Sequence, residues 1–352
     1  MTLQKPKKMI IMNILDILRR HSDAEHRLSQ KDIIDIMKKE HDMVIDRKTV
    51  RRNILTLLEC GYEIEYNESV RLTQDLQTGE AEETYVWSDF YLSKDISDSE
   101  LRLLIDSLMF SKSIPYNDCK ELIEKLKSLS NIHFNSHVSY TSEITYDRTD
   151  NKHLFLNIEL LSEAIDKKKK VSFNYTEYKT DKKLHIKTHA DSSTEYIVSP
   201  YQMASKEGKY YLICNFDKYD DISNYRIDRI MNIKILDEAV KPFEKLKGSN
   251  GQRLNLEKYM NERVYMFSDE STKVKFRISK PMISDVIDVF GKNVAFSDED
   301  KNGVSVTVYT NKAAMKQFAK SFAPDVIVLE PHDLRDNIRN ELKTAIEKYE
   351  KL

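Results

Sequence analysis

The chain has 352 residues, 40% hydrophobic and 32% charged, with a formal net charge of -2. That length accommodates two to three domains, and the composition is that of folded soluble domains rather than a disordered chain. Seven glycines and three scattered cysteines, Cys60, Cys119 and Cys214, argue against glycine-rich phosphate loops and disulfide scaffolds, and they suit a reducing cytoplasmic setting.

The charge is unevenly spread. Residues 1–61 hold 13 Lys/Arg against 9 Asp/Glu, a net of +4, which leaves the rest of the chain at -6. A basic block on an acidic body suits a small nucleic-acid reader attached to something else. The start, Lys5-Pro6-Lys7-Lys8 before Met9-Ile10-Ile11-Met12, superficially resembles a signal peptide, but Asn13, Asp16, Arg19 and Arg20 break that pattern. No apolar run approaches the roughly 20 residues that cross a bilayer, so no membrane partner is expected.

Ile10, Ile11, Ile14, Leu15, Ile17 and Leu18 recur at helical spacing and predict a first helix. A second starts at Ser29, where Ser29 and Asp32 have capping-box spacing. Asp46 caps a third, with Val50, Ile54, Leu57 and Leu58 inside and Gly61 closing it. On this third helix Arg47, Lys48, Arg51 and Arg52 are expected to face away from Val50 and Ile54, as a basic ridge at its N-terminal end. A recognition helix in the major groove reaches base edges from that end: Arg pairs bidentately with guanine and Lys mainly holds phosphate. Thr49 and Asn53 add polar groups. The bland alternative is a solvated basic face.

Tyr62–Tyr66, Val70, Leu72 and Thr84-Tyr85-Val86-Trp87, with a turn near Thr78-Gly79, predict a hairpin wing. The acidic loop Glu80–Glu83 would repel phosphate, so no DNA contact is expected there. Residues 1–92 thus form a winged helix-turn-helix. A capping box at Ser97 and Glu100 opens one amphipathic helix, and Leu122, Ile123, Leu126 and Leu129 mark another. This stretch, 93–150, is either a dimerisation or linker element or a helical hairpin on its own domain.

From Asn157 a helix precedes several short strands: Val171–Tyr175, Tyr196–Val198, Lys209–Phe216 and Met231–Leu236. One helix before such strands suggests a small β-barrel over 151–240. Beyond it, 250–352 alternates strands (Val274–Ile278, Val304–Val308, Asp325–Leu329) with helices (Asp285–Phe290, around Phe318, Leu334–Ile346), as in an α/β sandwich.

Leu160-Leu161-Ser162-Glu163-Ala164-Ile165, Val171-Ser172-Phe173-Asn174-Tyr175, Ser199-Pro200-Tyr201, Gly208–Ile213 and Tyr225-Arg226-Ile227-Asp228-Arg229-Ile230 resemble, in order and spacing, the WYL domain of bacterial transcriptional regulators. The name-giving triplet is Tyr210-Tyr211-Leu212, with Tyr where the family usually has Trp. Leu329–Arg335 resembles the extension that follows many WYL domains. The resemblance implies an α+β multidomain regulator: an N-terminal helix-turn-helix on operator DNA, a helical linker, an Sm-like small barrel that senses a nucleotide, an oligonucleotide or another anionic effector, and a C-terminal domain that contributes to a homodimer. Tyr175, Tyr201, Tyr211, Arg226 and Arg229 are the candidate ligand residues, since Arg beside aromatic rings suits a phosphate or a stacked base. Alternatively Asp228 pairs with an Arg and the cluster only pins the barrel.

Catalysis is not expected. There is no His-Glu-x-x-His metal helix, Cys-x-x-Cys pair or Gly-x-Ser-x-Gly elbow, and no cofactor or metal is implied. His185 and His189 have zinc-like spacing only on a helix, and Leu184-His185-Ile186 reads as strand. A rival reading is a defence or processing factor whose barrel binds single-stranded nucleic acid directly.

Overall fold

Local capping sets out the N-terminal helices. In this computed structural model, which describes residues 9–74, 81–134, 148–188, 192–247, 249 and 251–351, helix α1 (Met9–His21) turns Ile14, Leu15, Ile17 and Leu18 inward. Helix α2 (Gln30–His41) starts at a complete capping box: the Ser29 hydroxyl accepts the Asp32 N–H, and the Asp32 carboxylate accepts the Ser29 N–H at 2.8 Å. Helix α3 (Arg47–Glu59) starts where the Asp46 carboxylate accepts the Thr49 N–H at 2.7 Å. It ends in a Schellman turn, with Tyr62 N–H returning to the Leu57 carbonyl and Gly61 N–H to that of Leu58. Gly61 sits at φ 90°, where a side chain would be strained.

Strands β1 (Ile64–Gln74) and β2 (Ala81–Leu92) form an antiparallel hairpin whose Ile64, Trp87 and Phe90 complete the core of the three helices. The turn expected at Thr78-Gly79, the side chains of the acidic loop Glu80–Glu83, and the Lys5–Lys8 start lie outside the described residues. Helices α4 (Asp98–Phe110) and α5 (Tyr116–Lys127) pack around Leu101, Ile105, Cys119, Ile123 and Phe134. They are fastened to the first helices: the Asn131 amide donates to the Ser22 carbonyl at 2.9 Å and to Asp23 Oδ2 at 2.8 Å. The His26 and His133 rings stack at 3.6 Å. All of this belongs to one compact unit, Met1–Arg148, so the helical pair packs on its own domain.

The second unit is Thr149–Leu352. Helix α6 (Leu154–Asp166) lies on an antiparallel sheet of β3 (Lys169–Tyr178), β4 (Leu184–Ile186), β5 (Glu195–Lys206), β6 (Lys209–Phe216), β7 (Ile222–Arg226) and β8 (Ile230–Ala239). The order is β4-β3-β5-β6-β7, and β8 also pairs with β3. Val171, Phe173, Val198, Leu212 and Ile230 are fully or almost fully buried. The small barrel expected here does not close: among the described residues β7 and β8 are joined by a 3-10 turn, Ile227–Arg229, instead of a ladder. That turn's carbonyls are taken by side chains, which leaves them unavailable for strand pairing.

After α7 (Leu256–Glu262) come β9 (Ser271–Ile278), α8 (Ile283–Phe290), β10 (Ala295–Ser297), β11 (Val304–Asn311), α9 (Lys312–Ser321), β12 (Val326–Glu330) and α10 (His332–Tyr349). The sheet order β10-β11-β9-β12 makes a split β-α-β-β-α-β layer pair. Alternating Val274, Phe276 and Ile278 on β9 meet Val286, Phe290, Phe318 and Leu334 from the helices. Gly303 precedes β11 where a Cβ would stand 2.1 Å from the Ile278 carbonyl oxygen, so no larger residue fits. The architecture is mixed α+β and multidomain.

Asp23 carries the joint between the first helices and α5. Burial raises its carboxyl, but hydrogen bonds from Asn131, His26 and the Glu25 N–H outweigh that and lower it from 3.8 to about 2. A carboxylate depressed on folding stabilises above its unfolded pKa and loses that contribution as pH falls through the folded value. Melting of the intact chain should therefore lose an increment between about pH 4 and about pH 2 that Asp23→Asn lacks. Equal acid sensitivity of the two proteins in a pH series of thermal melts would remove Asp23 as the anchor.

Candidate functional site

Val50, Ile54 and Leu57 bury one side of α3 and so sort its polar residues. Arg47, Lys48 and Arg52 are exposed, and among the described residues no carboxylate pairs with them. Thr49 and Asn53 are half-buried, and the Asn53 amide donates to the Thr49 carbonyl at 2.7 Å, which ties it to its own helix. Arg51 departs from the outward ridge read from spacing. Its guanidinium lies over the Trp87 indole at 5.1 Å, inside cation–π range. One residue past Val50 is only about 100° around the helix, so the Arg51 stem leans along the core edge toward the hairpin. Trp87 is held in turn, stacking on Tyr66 at 4.3 Å and donating from Nε1 to Glu68 at 2.8 Å. Hydrogen bonds from the hydroxyl and N–H of Thr49 keep the Asp46 carboxyl below the usual carboxylate range, so the cap stays ionised at the head of the ridge.

A second cluster forms on the β7–β8 turn. Arg226 and Asp228 meet as a bidentate pair, Nε to Oδ1 at 3.0 Å and Nη2 to Oδ2 at 2.6 Å. The Asp228 side chain is 2% exposed and that of Arg226 20%. The pairing expected as the bland alternative is thus present, and it consumes one edge of the Arg226 guanidinium. Arg229 differs: its Nε is buried without a hydrogen-bond partner, and its guanidinium lies 5.8 Å from the Tyr178 ring centroid. Of the two arginines, Arg229 keeps an unused buried donor.

Tyr175 belongs to this cluster. Its hydroxyl accepts the Arg226 N–H at 3.2 Å, and its ring meets Tyr225 edge-on at 5.0 Å and Tyr196 at 6.0 Å. Burial raises the Tyr175 phenol, so it stays protonated. Tyr211 is the strand partner of Arg226, and burial raises its phenol too, against the opposing pull of the Arg226 charge. Tyr210 and Tyr211 are both half-buried; Leu212 and Ile213 are the core residues of that strand. Tyr201 stands apart: its hydroxyl donates to the Lys241 carbonyl at 2.7 Å and its ring packs edge-on against Phe243. A cleft of about 360 Å³ in this unit is lined by Lys258, Tyr259, Arg263 and Tyr309, and by none of the five expected ligand residues.

Sequence reasoning missed what holds this turn. The carbonyl of Asp228 accepts from Asn151 at 3.0 Å, that of Arg229 from the Thr176 hydroxyl at 2.9 Å, and that of Ile230 from Asn151 and Asn157 at 2.7 Å each. Asn151, Asn157 and Thr176 are 3%, 1% and 0% exposed, and buried polar groups are kept only where they are bonded. His185 lies on β4 and bonds Asp181 at 2.7 Å, while His189 lies outside the described residues.

This unit, a helix-backed sheet followed by a split β-α-β-β-α-β layer, matches two known domains in succession. The model of the WYL domain matches residues 157–235, and the model of the WCX domain matches residues 270–346. The chain therefore carries a WYL domain followed by a WCX domain. No curated protein matches it. Among solved structures it is similar to "Proteasome accessory factor B/C (PafBC) of Arthrobacter aurescens", at 13% identity over 97% of this chain and 48% of that one, with a TM-score of 0.27. It is similar also to a "CRISPR Cas-related protein", at 16% identity over 100% of this chain and 88% of that one, with a TM-score of 0.36. This chain spans about half the length of the first of these. No helix among the described residues is long and apolar enough to cross a membrane.

Removing one partner of a buried ion pair strands the other. Arg226→Met should lower unfolding stability in urea by about 3–5 kcal/mol, and Arg226→Met with Asp228→Leu by much less. Equal losses for the single and double variants would mean that the pair contributes through packing alone.

Proposed function

We propose that the chain is a DNA-binding transcription regulator whose WYL domain senses a nucleotide, an oligonucleotide or another anionic effector. The three N-terminal helices and their hairpin act as a winged helix-turn-helix. Helix α3 presents its first turns to the major groove of an operator, and the protein works in the cytoplasm as a homodimer, by binding rather than by catalysis.

The observation that carries this reading is the exposed N-terminal end of α3, where Arg47 opens the helix and Lys48 and Arg52 share an outer edge away from Val50, Ile54 and Leu57, none of the three in an ion pair among the described residues. Three cations in the first turns of one rigid helix suit a polyanion, and a helix docked by its N-terminal residues brings them to phosphates and base edges together. Arg51 has a supporting part here, keeping the hairpin beside α3 through Trp87. For the sensor, Arg229 supplies an unused donor and Arg226 a paired cation, beside tyrosine rings on which a base could stack.

Fluorescence anisotropy on a duplex selected from a random pool tests the reading. Arg52→Ala should cost about 1–3 kcal/mol and relax specificity where that side chain meets a base, whereas Lys48→Ala should weaken all duplexes alike and lower the salt slope by about 1. Unchanged affinity in Arg47→Ala, Lys48→Ala and Arg52→Ala, with melting temperatures retained, would refute the assignment.

A further inference from the structure

The residues that join the two compact units are themselves anchored on both sides. Arg148, Thr149 and Asn151 are 8%, 6% and 3% exposed, although connecting segments ordinarily run over the surface. On the N-terminal side, the Arg148 guanidinium donates to the carbonyls of Met109 and Ser111 at 2.6 Å each, Ile114 at 3.2 Å and Leu108 at 3.3 Å. These belong to the last turn of α4 and the bend after it, where a helix leaves carbonyls unpaired and a cation is favoured. On the C-terminal side, the Thr149 hydroxyl and the Asn151 amide donate to the Asp228 carbonyl at 3.3 and 3.0 Å, and Asn151 also holds the Ile230 carbonyl. Asp228 is the residue whose carboxylate grips Arg226.

We propose that Arg148–Asn151 is the coupling element through which occupancy of the Arg226 and Arg229 site reaches the N-terminal unit. The inference rests on the ligand-sensing reading above. An anion that engages Arg226 draws on a guanidinium already shared with Asp228, so its binding loads the Ile227–Arg229 turn. The Asp228 carbonyl moves with that turn, and Thr149 and Asn151 are the donors that follow it. Next in the chain, Arg148 holds the end of α4. The two states that an effector must bind with different affinity are the clamp made and the clamp released.

Hydrogen exchange on the full-length chain tests the coupling. Asp228→Asn keeps the shape of the side chain and removes its charge. Amides 149–153 and 108–111 are expected to exchange about tenfold faster than in the parent chain. In a Thr149→Val, Asn151→Ala background, adding Asp228→Asn should leave 108–111 no faster than that background alone. Acceleration confined to 226–230, or an acceleration at 108–111 by Asp228→Asn that persists undiminished in the triple variant, overturns the proposal. Should Asp228→Asn lose cooperative melting, Arg226→Lys takes its place under the same criteria. Deoxyadenosine monophosphate provides the separate arm. Nucleotide that leaves exchange at 226–229 unaltered counts against nucleotide sensing and leaves the mutational coupling standing. Protection there with no change at 108–111 overturns the coupling and leaves sensing standing.

Discussion

The WYL half of the chain depends on keeping a buried polar turn bonded. Between β7 and β8 the backbone leaves the sheet for three residues, Ile227–Arg229, and places an aspartate that is 1% exposed among apolar neighbours. Buried carbonyls and a buried carboxylate are costly unless each finds a donor. The fold supplies donors from three places: Arg226 for the carboxylate, Thr176 on β3 for one carbonyl, and Asn151 and Asn157, before and within α6, for others. The open sheet, the docking of α6 and the path of the chain into this domain all meet at that one requirement.

The same accounting distinguishes the two arginines of the turn. The sequence offers both Arg226 and Arg229 as ligand residues, with Arg226 the first choice. The geometry commits Arg226 to Asp228 through two hydrogen bonds and leaves a buried donor of Arg229 unmatched. A cation already paired adds little net attraction for a second anion, because the carboxylate must first be displaced or shared. An unmatched guanidinium donor beside an aromatic ring bears the desolvation cost in the free protein and recovers it when an acceptor arrives. The two arginines therefore differ in state: Arg226 is held by Asp228, so any anion reaching it must share or displace that carboxylate, whereas Arg229 has a buried donor without a partner.

How legible each feature was follows from the reach of the interaction behind it. Ser29 with Asp32, Asp46 with Thr49, Ser97 with Glu100, and Gly61 after α3 act over three or four residues, so the helix starts and the stop could be read directly. The alternation on β9 and β11 was legible for the same reason. Arg51 was misplaced because its partner, Trp87, is 36 positions away in sequence, across the hairpin, and nothing near Arg51 announces an indole. Asn151, Asn157 and Thr176 were invisible because their partners lie 53–79 residues further on, and lone Asn and Thr residues in a polar stretch look like solvent contacts. Barrel closure failed as an expectation because strand count does not say whether the first and last strands pair.

The N-terminal unit shows the converse use of charge. At the β7–β8 turn, cations and a carboxylate are brought together and buried. On α3, Arg47, Lys48 and Arg52 make no ion pair among the described residues, and the nearby acid, Asp46, caps the helix within the field of Lys48 and Arg52. Leaving three like charges unpaired in the first turns of one helix gains the isolated protein nothing, since neighbouring like charges repel and helix pairs of opposite sign would stabilise it. Exposed lysines elsewhere are mixed: Lys125, Lys167 and Lys275 stand beside acids, whereas Lys38, Lys120 and Lys301 make no ion pair among the described residues. Charges left without ion pairs stay available to a partner of opposite sign, and under the proposed reading a duplex backbone, with one negative charge per about 1.7 Å of axis, is that partner.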